Sequence, residues 1–181
     1  AKTLFPYTTL FRSFSERLAE VMAPYQNVRL ELKTKSKNVE HLLKIPKKDH
    51  VVIAWSINAP EVIEAEEHGT ARFHERLAAA KRCVDAGFKV GFHFDPMIYR
   101  DDWEVIYKRA VDQLAATIPQ ESIYWLSMGA LRYQPQLKTI ALRRRPETTL
   151  FLDESVMGED GKMRYLRQQR TEMFNGMNQY L

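Results

Sequence analysis

One cysteine, Cys83, stands in the 181 residues. A single thiol excludes an internal disulfide and makes the reducing cytoplasm the expected location. It also excludes any CxxC or CxxxCxxC motif, so an iron–sulfur cluster held by cysteines in the usual way has no ligand set here. No apolar run approaches the roughly 18 residues of a membrane span. No stretch has the basic, apolar, small-residue order of a signal peptide. Internal repeats and low-complexity segments are missing as well. Metal ligation has little support, because His93 and Asp95 have no evident third partner by spacing.

What is present is ordinary globular composition, 45% hydrophobic and 28% charged. The net charge of +4 and pI of about 9.1 permit a polyanionic partner without requiring one. Residues 1–12 show neither a helical period nor strand alternation, and they look like the translation of a sequencing adapter. Residues 1–13 are therefore set aside as a non-native leader, and the folded part is expected over 14–181.

Regular patterning begins at Ser13, which has capping-box spacing to Glu16. Leu18, Val21 and Met22 supply the apolar face of a first helix, closed by Pro24 and Asn27. Residues 28–35 alternate as a strand, and a short helix is expected over 38–43. The apolar run 51–55 reads as a strand covered on both faces. A helix over 70–86 stops at Gly87. Strand 88–94 follows, then a helix capped by Asp102 that runs to Ile118, then strand 122–126. Beyond these lie an expected helix over 135–142, a strand-like 148–152, a turn at 158–161, and a last helix from about Tyr165. Strands alternating with helices imply a parallel sheet with right-handed crossovers, as part of a (β/α) barrel or half of an open α/β sheet.

Ligands of parallel α/β sheets bind at the C-terminal ends of the strands. These four strands end in Thr34-Lys35-Ser36, Trp55-Ser56-Ile57-Asn58, His93-Phe94-Asp95-Pro96 and Ser127-Met128-Gly129. Each passes from an apolar body to a polar cluster. Lys35 suits a carboxylate or phosphate as a point charge. Ser56 and Asn58 offer neutral donors and acceptors that suit a ribose or an amino-acid group. His93 and Asp95, two apart, share one side of their strand. The last third is basic, with Lys138, Arg143-Arg144-Arg145, and Arg164, Arg167 and Arg170 spaced as on one helix face. Tyr133, Tyr165 and Tyr180 lie among or near them. Arginines beside aromatics can hold phosphates and stack bases.

Taken together, Thr34-Lys35-Ser36, Trp55-Ser56-Ile57-Asn58, residues 67–71 with Glu75-Arg76-Leu77, and the long block 86–98 resemble the spore photoproduct lyase family in order and spacing. Tyr107, Ser127-Met128-Gly129, Arg132-Tyr133-Gln134-Pro135 and Lys162-Met163-Arg164-Tyr165 continue the resemblance. It implies a partial (β/α) barrel of the radical-SAM type, here without its N-terminal cluster-binding portion. It implies a [4Fe–4S] cluster in the parent enzyme and S-adenosylmethionine (SAM), split to a 5′-deoxyadenosyl radical that reverses a cross-linked thymine pair in DNA. Carried over by position, Lys35, Ser56, Asn58, His93 and Asp95 are expected around SAM. Arg164 and Tyr165, with Arg132, Tyr133 and Arg167, are expected toward damaged DNA. The family's CxxxCxxC and its hydrogen-donating cysteine have no counterpart here, so this chain alone is expected to be inactive. The alternatives are a cluster-less nucleic-acid-binding domain, or a radical-SAM relative with another substrate.

Overall fold

The computed structural model describes residues 7–25, 27–46 and 48–181, with side chains from residue 14 onward. Residues 1–6 of the expected leader lie outside the described residues. Helix α1 spans Tyr7–Met22, so Ser13 sits inside the helix rather than capping it. Its buried contact is Ala19, whereas Val21, expected on the apolar face, is 57% exposed.

Four strands form the parallel sheet: β1 (Leu30–Thr34), β2 (Val51–Ser56), β3 (Lys89–Met97) and β4 (Ile123–Ala130). Their spatial order is β1-β2-β3-β4. Every crossover therefore steps the same way. That is barrel topology; an open doubly wound sheet reverses direction at a switch point. The crossovers are α2 (Pro60–Glu66) with α3 (Phe73–Asp85) after β2, and α4 (Trp103–Thr117) after β3. Between β1 and β2, a 3-10 turn at Leu42–Lys44 replaces the short helix expected over 38–43. Helix α2 has no counterpart among the expected elements, although Pro60 at its first turn is a helix-start signal. Helix α3 starts at Phe73, not at residue 70, because Glu75 reaches back to accept the Arg72 N–H. It ends where Gly87 takes a positive φ.

Alternation along the strands divides the sheet into two faces. Leu32, Ile53, Trp55, Phe92, Phe94 and Leu126 share the core with Leu77, Ala80 and Cys83 of α3 and Ile106, Tyr107 and Leu114 of α4. The opposite face would look into the barrel, and it carries Glu31, Lys33, Ser56, His93, Trp125 and Ser127. The register slips by one residue between Val90 and Gly91, where Trp125 crosses Gly91. A Cβ at Gly91 would lie 2.6 Å from the indole nitrogen.

A second, antiparallel sheet is not foreshadowed by the strand pattern. Strands β5 (Arg132–Tyr133), β6 (Ser155–Met157) and β7 (Met163–Tyr165) pair in the order β5-β7-β6. Helix α5 (Pro135–Arg144) lies between β5 and β6, and α6 (Arg167–Tyr180) closes the chain. The expected turn at 158–161 joins β6 to β7, with Gly161 at positive φ. The strand-like 148–152 is no strand. Thr148 and Thr149 instead donate through their hydroxyls to the Glu66 carboxylate at 2.6 and 2.8 Å. Side-chain bonds of that kind compete with a ladder. Helix α6 packs so closely on α4 that a Cβ at Gly176 would meet the Trp103 ring at 2.6 Å. No described helix is long and apolar enough to cross a membrane.

Candidate functional site at the strand ends

The register builds one polar row. Ser56 pairs with His93 and His93 with Ser127, and one residue past the Thr34–Trp55 pair Lys35 comes beside Ser56. Lys35, Ser56, His93 and Ser127 thus lie side by side across four strands, at their C-terminal ends. Asp95, two residues past His93, is on the same face, and its carboxylate lies against Gly129. A Cβ at Gly129 would stand 2.5 Å from that carboxylate, so the position needs the missing side chain. His93 and Asp95 face one space, as two-residue spacing requires.

Arg76 holds the lip of this site together. Its side chain is fully buried and makes four hydrogen bonds. The guanidinium donates to the carbonyls of Ala71 and Ser56, each at 2.8 Å. It also donates to the Glu67 carboxylate and the Thr70 hydroxyl, each at 2.7 Å. The second Glu67 oxygen takes the Lys35 ammonium at 2.9 Å. The Ala71 N–H closes back onto the Lys35 carbonyl at 3.2 Å. The indole of Trp55 donates to the Ser36 carbonyl at 3.0 Å. The ends of β1 and β2 are thus tied to each other through the loop that starts α3.

Asn58 is placed differently from its expected role. It is only 3% exposed. Its amide donates to the Pro96 carbonyl at 2.8 Å, and its oxygen accepts from the Ala59 N–H at 3.0 Å and the Tyr107 hydroxyl at 2.5 Å. Tyr107 in turn accepts the Ile98 N–H at 2.7 Å. Burial holds its phenol far above the ordinary range, as a neutral donor. Asn58 therefore joins the ends of β2 and β3 from behind the site rather than from inside it.

His93 is held from both ring nitrogens. Nδ1 meets the Ser127 hydroxyl at 2.6 Å and Nε2 meets the Glu31 carboxylate. The Trp125 indole N–H also reaches Nε2, at 3.4 Å, so three side chains fix the ring. Glu31 is not among the residues that the sequence singles out. The one signal for it is its place on the polar side of the first strand's alternation. Cys83 is buried behind the sheet, and burial pushes its thiol up to about 12, which suits packing and not metal ligation. Among the described residues no group of three or more His, Cys, Asp or Glu side chains could hold a metal.

The basic residues converge on the same end. Arg132 on β5 stands directly across from Arg164 on β7. With Arg170 they line a hollow of about 200 Å³ that also includes Met128, Gly129, Ala130 and Phe174. Like charges directly opposite repel. One acid answers them, Asp160 at Arg164. The even spacing of Arg164, Arg167 and Arg170 does not make one helix face, because Arg164 is on a strand and α6 begins at Arg167. Arg170 joins the seat through a bond from Nε to the Tyr165 carbonyl at 3.1 Å, while Arg167 is exposed and does not line the hollow. Tyr165 is 2% exposed. Its hydroxyl accepts the Tyr99 N–H at 3.1 Å, and burial raises its phenol above the ordinary range. Tyr133 is buried too, with its hydroxyl 3.0 Å from that of Ser155. Both tyrosines support the seat rather than presenting rings to it. A neighbouring hollow of about 440 Å³ is lined by Glu66, Asp101, Asp102 and Asp153, a poor wall for an anion.

The sequence model of the spore photoproduct lyase family matches residues 9–180. The chain belongs to the spore photoproduct lyase family. The lyase of Geobacillus sp. (strain Y412MC61) is 33% identical over 129 residues, which cover 70% of this chain and 38% of that protein. The Bacillus subtilis (strain 168) lyase is 30% identical over 128 residues, covering 70% of this chain and 37% of that protein. The chain thus spans well under half the length of the curated relatives it matches. A solved spore photoproduct lyase double mutant with bound AdoMet and dinucleoside spore photoproduct superposes with a TM-score of 0.81 at 29% identity. That match covers 92% of this chain and 51% of the solved one. A spore photoproduct lyase complexed with the dinucleoside lesion superposes equally well, at a TM-score of 0.81.

Two substitutions test the lip. Arg76→Met leaves Glu67 and two carbonyls without their donor and is expected to cost about 3–5 kcal/mol in urea unfolding. Tyr107→Phe orphans the buried Ile98 N–H and one Asn58 bond, and is expected to cost about 1–3 kcal/mol in the same measurement.

Proposed function

We propose that this chain is the SAM- and lesion-facing part of a radical-SAM DNA repair lyase, and that its substrate is the thymine-dimer lesion spore photoproduct. One observation carries the reading. Gly129 belongs to both halves of the site: the Asp95 carboxylate lies against it, and it lines the hollow of Arg132, Arg164 and Arg170. A cofactor along the polar row and a lesion in the arginine seat would touch across a single glycine. One solved relative holds AdoMet and the dinucleoside lesion together.

The residues fit SAM. The Lys35 ammonium suits the methionyl carboxylate, Asp95 suits the amino group or a ribose hydroxyl, and the Ser56 hydroxyl serves either. His93 holds a fixed ring orientation through Glu31 and Ser127, so it can present one defined edge to the pocket. Asn58 positions the β2 and β3 ends. The bound cofactor supplies hydrogen-atom abstraction; the chain's own residues orient it, place the lesion and keep water out. Arg132, Arg164 and Arg170 neutralise the strand's phosphate, and Phe174 offers an apolar surface to a base. Tyr165 and Tyr133 hold the seat in shape, and Arg167 stands outside it. This work is done inside the cell, on DNA.

The residues do not fit a [4Fe–4S] cluster. Its sole candidate ligand, Cys83, is buried in α3 behind the sheet. In the parent enzyme the cluster is held outside this chain, and the chain alone does not cleave SAM reductively.

Isothermal titration with SAM tests the polar row. Lys35→Ala and Ser56→Ala are each expected to weaken binding ~10-fold, the loss of about one charged or neutral hydrogen bond. Unchanged affinity in both would sink the assignment. Arg132→Ala with Arg164→Ala is expected to weaken a lesion-bearing dinucleotide, which keeps its phosphate, at least as much, with SAM unaffected. Anaerobic reconstitution with iron and sulfide is expected to leave the chain colourless, because no set of thiolates is present to bind a cluster.

A further inference from the structure

Helix α5 is unlike the other helices of this chain. It has no buried residue and no acidic residue. Leu137 and Ile140 are each 47% exposed on it. Helical spacing puts Arg144 on the same outer face, with Arg143 at its edge. Arg143 and Arg144 are exposed, and among the described residues neither enters an ion pair, although Arg145 next to them pairs with Glu147 at 3.4 Å. Several cations on the other helices are answered by acids, as in Lys81–Asp85, Arg82–Glu40 and Lys108–Asp112. A face of two guanidiniums beside two aliphatic side chains lacks that balance.

Its position in the fold says what it faces. Helix α5 begins three residues after Arg132 of the arginine seat. Lys138 anchors it to the Phe151 carbonyl at 3.1 Å. The loop that follows is bound by Glu66 at the end of α2, the helix that starts just off the C-terminal end of β2. Both ends of α5 therefore belong to the rim that carries the site. A ten-residue helix is about 15 Å long. Successive phosphates on one strand are about 3.4 Å apart along the duplex axis, so the length of α5 spans at most roughly four to five nucleotides.

We infer that the outer face of α5 is a second nucleic-acid contact, in which Arg143 and Arg144 hold the sugar–phosphate backbone flanking the lesion. This rests on the proposed lesion site. Charged phosphates beside apolar sugar faces match two guanidiniums at the end of a helix face that carries Leu137 and Ile140. A cation at a helix C-terminus also gains from the helix dipole, which would show as stability and not as binding.

The test uses the 181-residue chain and two probes: a fluorescent duplex of about 16 base pairs, long enough to reach α5, and the dinucleoside lesion, which has no flanking backbone. Duplex binding is read by anisotropy across a salt series, and dinucleoside binding by calorimetry. For R143A/R144A the slope of log affinity against log salt is expected to fall by about two, near 0.9 for each phosphate that is no longer neutralised. The dinucleoside affinity should be unchanged, and the thermal midpoint should fall by no more than the loss of two exposed helix-dipole contacts allows. R143K/R144K should keep the slope, because phosphate accepts a point charge. An unchanged slope in R143A/R144A overturns the inference, and so does an equal loss of dinucleoside affinity. If the parent chain fails to bind the dinucleoside, the lesion-site reading falls, while the duplex slope still decides whether α5 meets a phosphate backbone.

Discussion

The site depends on one buried guanidinium. Arg76 has no exposed surface, and its donors reach a strand end, a loop carbonyl, a hydroxyl and a carboxylate. A charge taken out of water is tolerated only when paired and fully hydrogen-bonded, and here both conditions are met. The consequence is positional. Glu67, fixed by Arg76 on one oxygen, presents the other to Lys35, so the cation of the polar row inherits its place from α3. The carbonyl of Ser56 is fixed by the same group, which sets where that strand ends and its hydroxyl begins.

A second constraint of the same kind lies behind the sheet. Asn58, Tyr107 and the Ile98 N–H form a buried chain in which every bond joins one strand end to another or to α4. Buried polar groups are costly unless satisfied, and a satisfied network permits few arrangements. The rim is thus rigid beside the polar row. On the opposite side the arrangement is the reverse. Arg132 and Arg164 are held across a ladder, and one acid, Asp160, pairs with Arg164. Their mutual repulsion is a standing cost that an anion would relieve, which is why that side reads as a ligand seat and the Asn58 network does not.

Family membership and geometry answer different questions. The match over residues 9–180 places the chain in the spore photoproduct lyase family. It does not say which polar side chain at a strand end faces a ligand and which braces the sheet. Asn58 and Ser56 lie two residues apart and are equivalent as sequence; register puts Ser56 in the row with His93, and burial puts Asn58 behind it. Tyr165 and Arg164 are adjacent, yet one is buried as a support and the other lines the seat.

By itself the sequence determined the alternation of strands and helices, the polar ends of all four strands, the shared face of His93 and Asp95, and the lack of cluster ligands. Each of these follows from periodicity or composition within a few residues, where backbone geometry leaves little choice. The structure departs from that pattern at Val21, residue 70 and 148–152, because capping and side-chain bonds to distant groups override local propensity. Only the tertiary structure decided the sequential strand order, the pairing of Arg76 with Ser56 and Glu67, the reach of Glu31 to His93 across 62 positions, and the choice of Arg170 over Arg167. Those contacts are set by register and sheet curvature, which bring together residues that no local pattern relates.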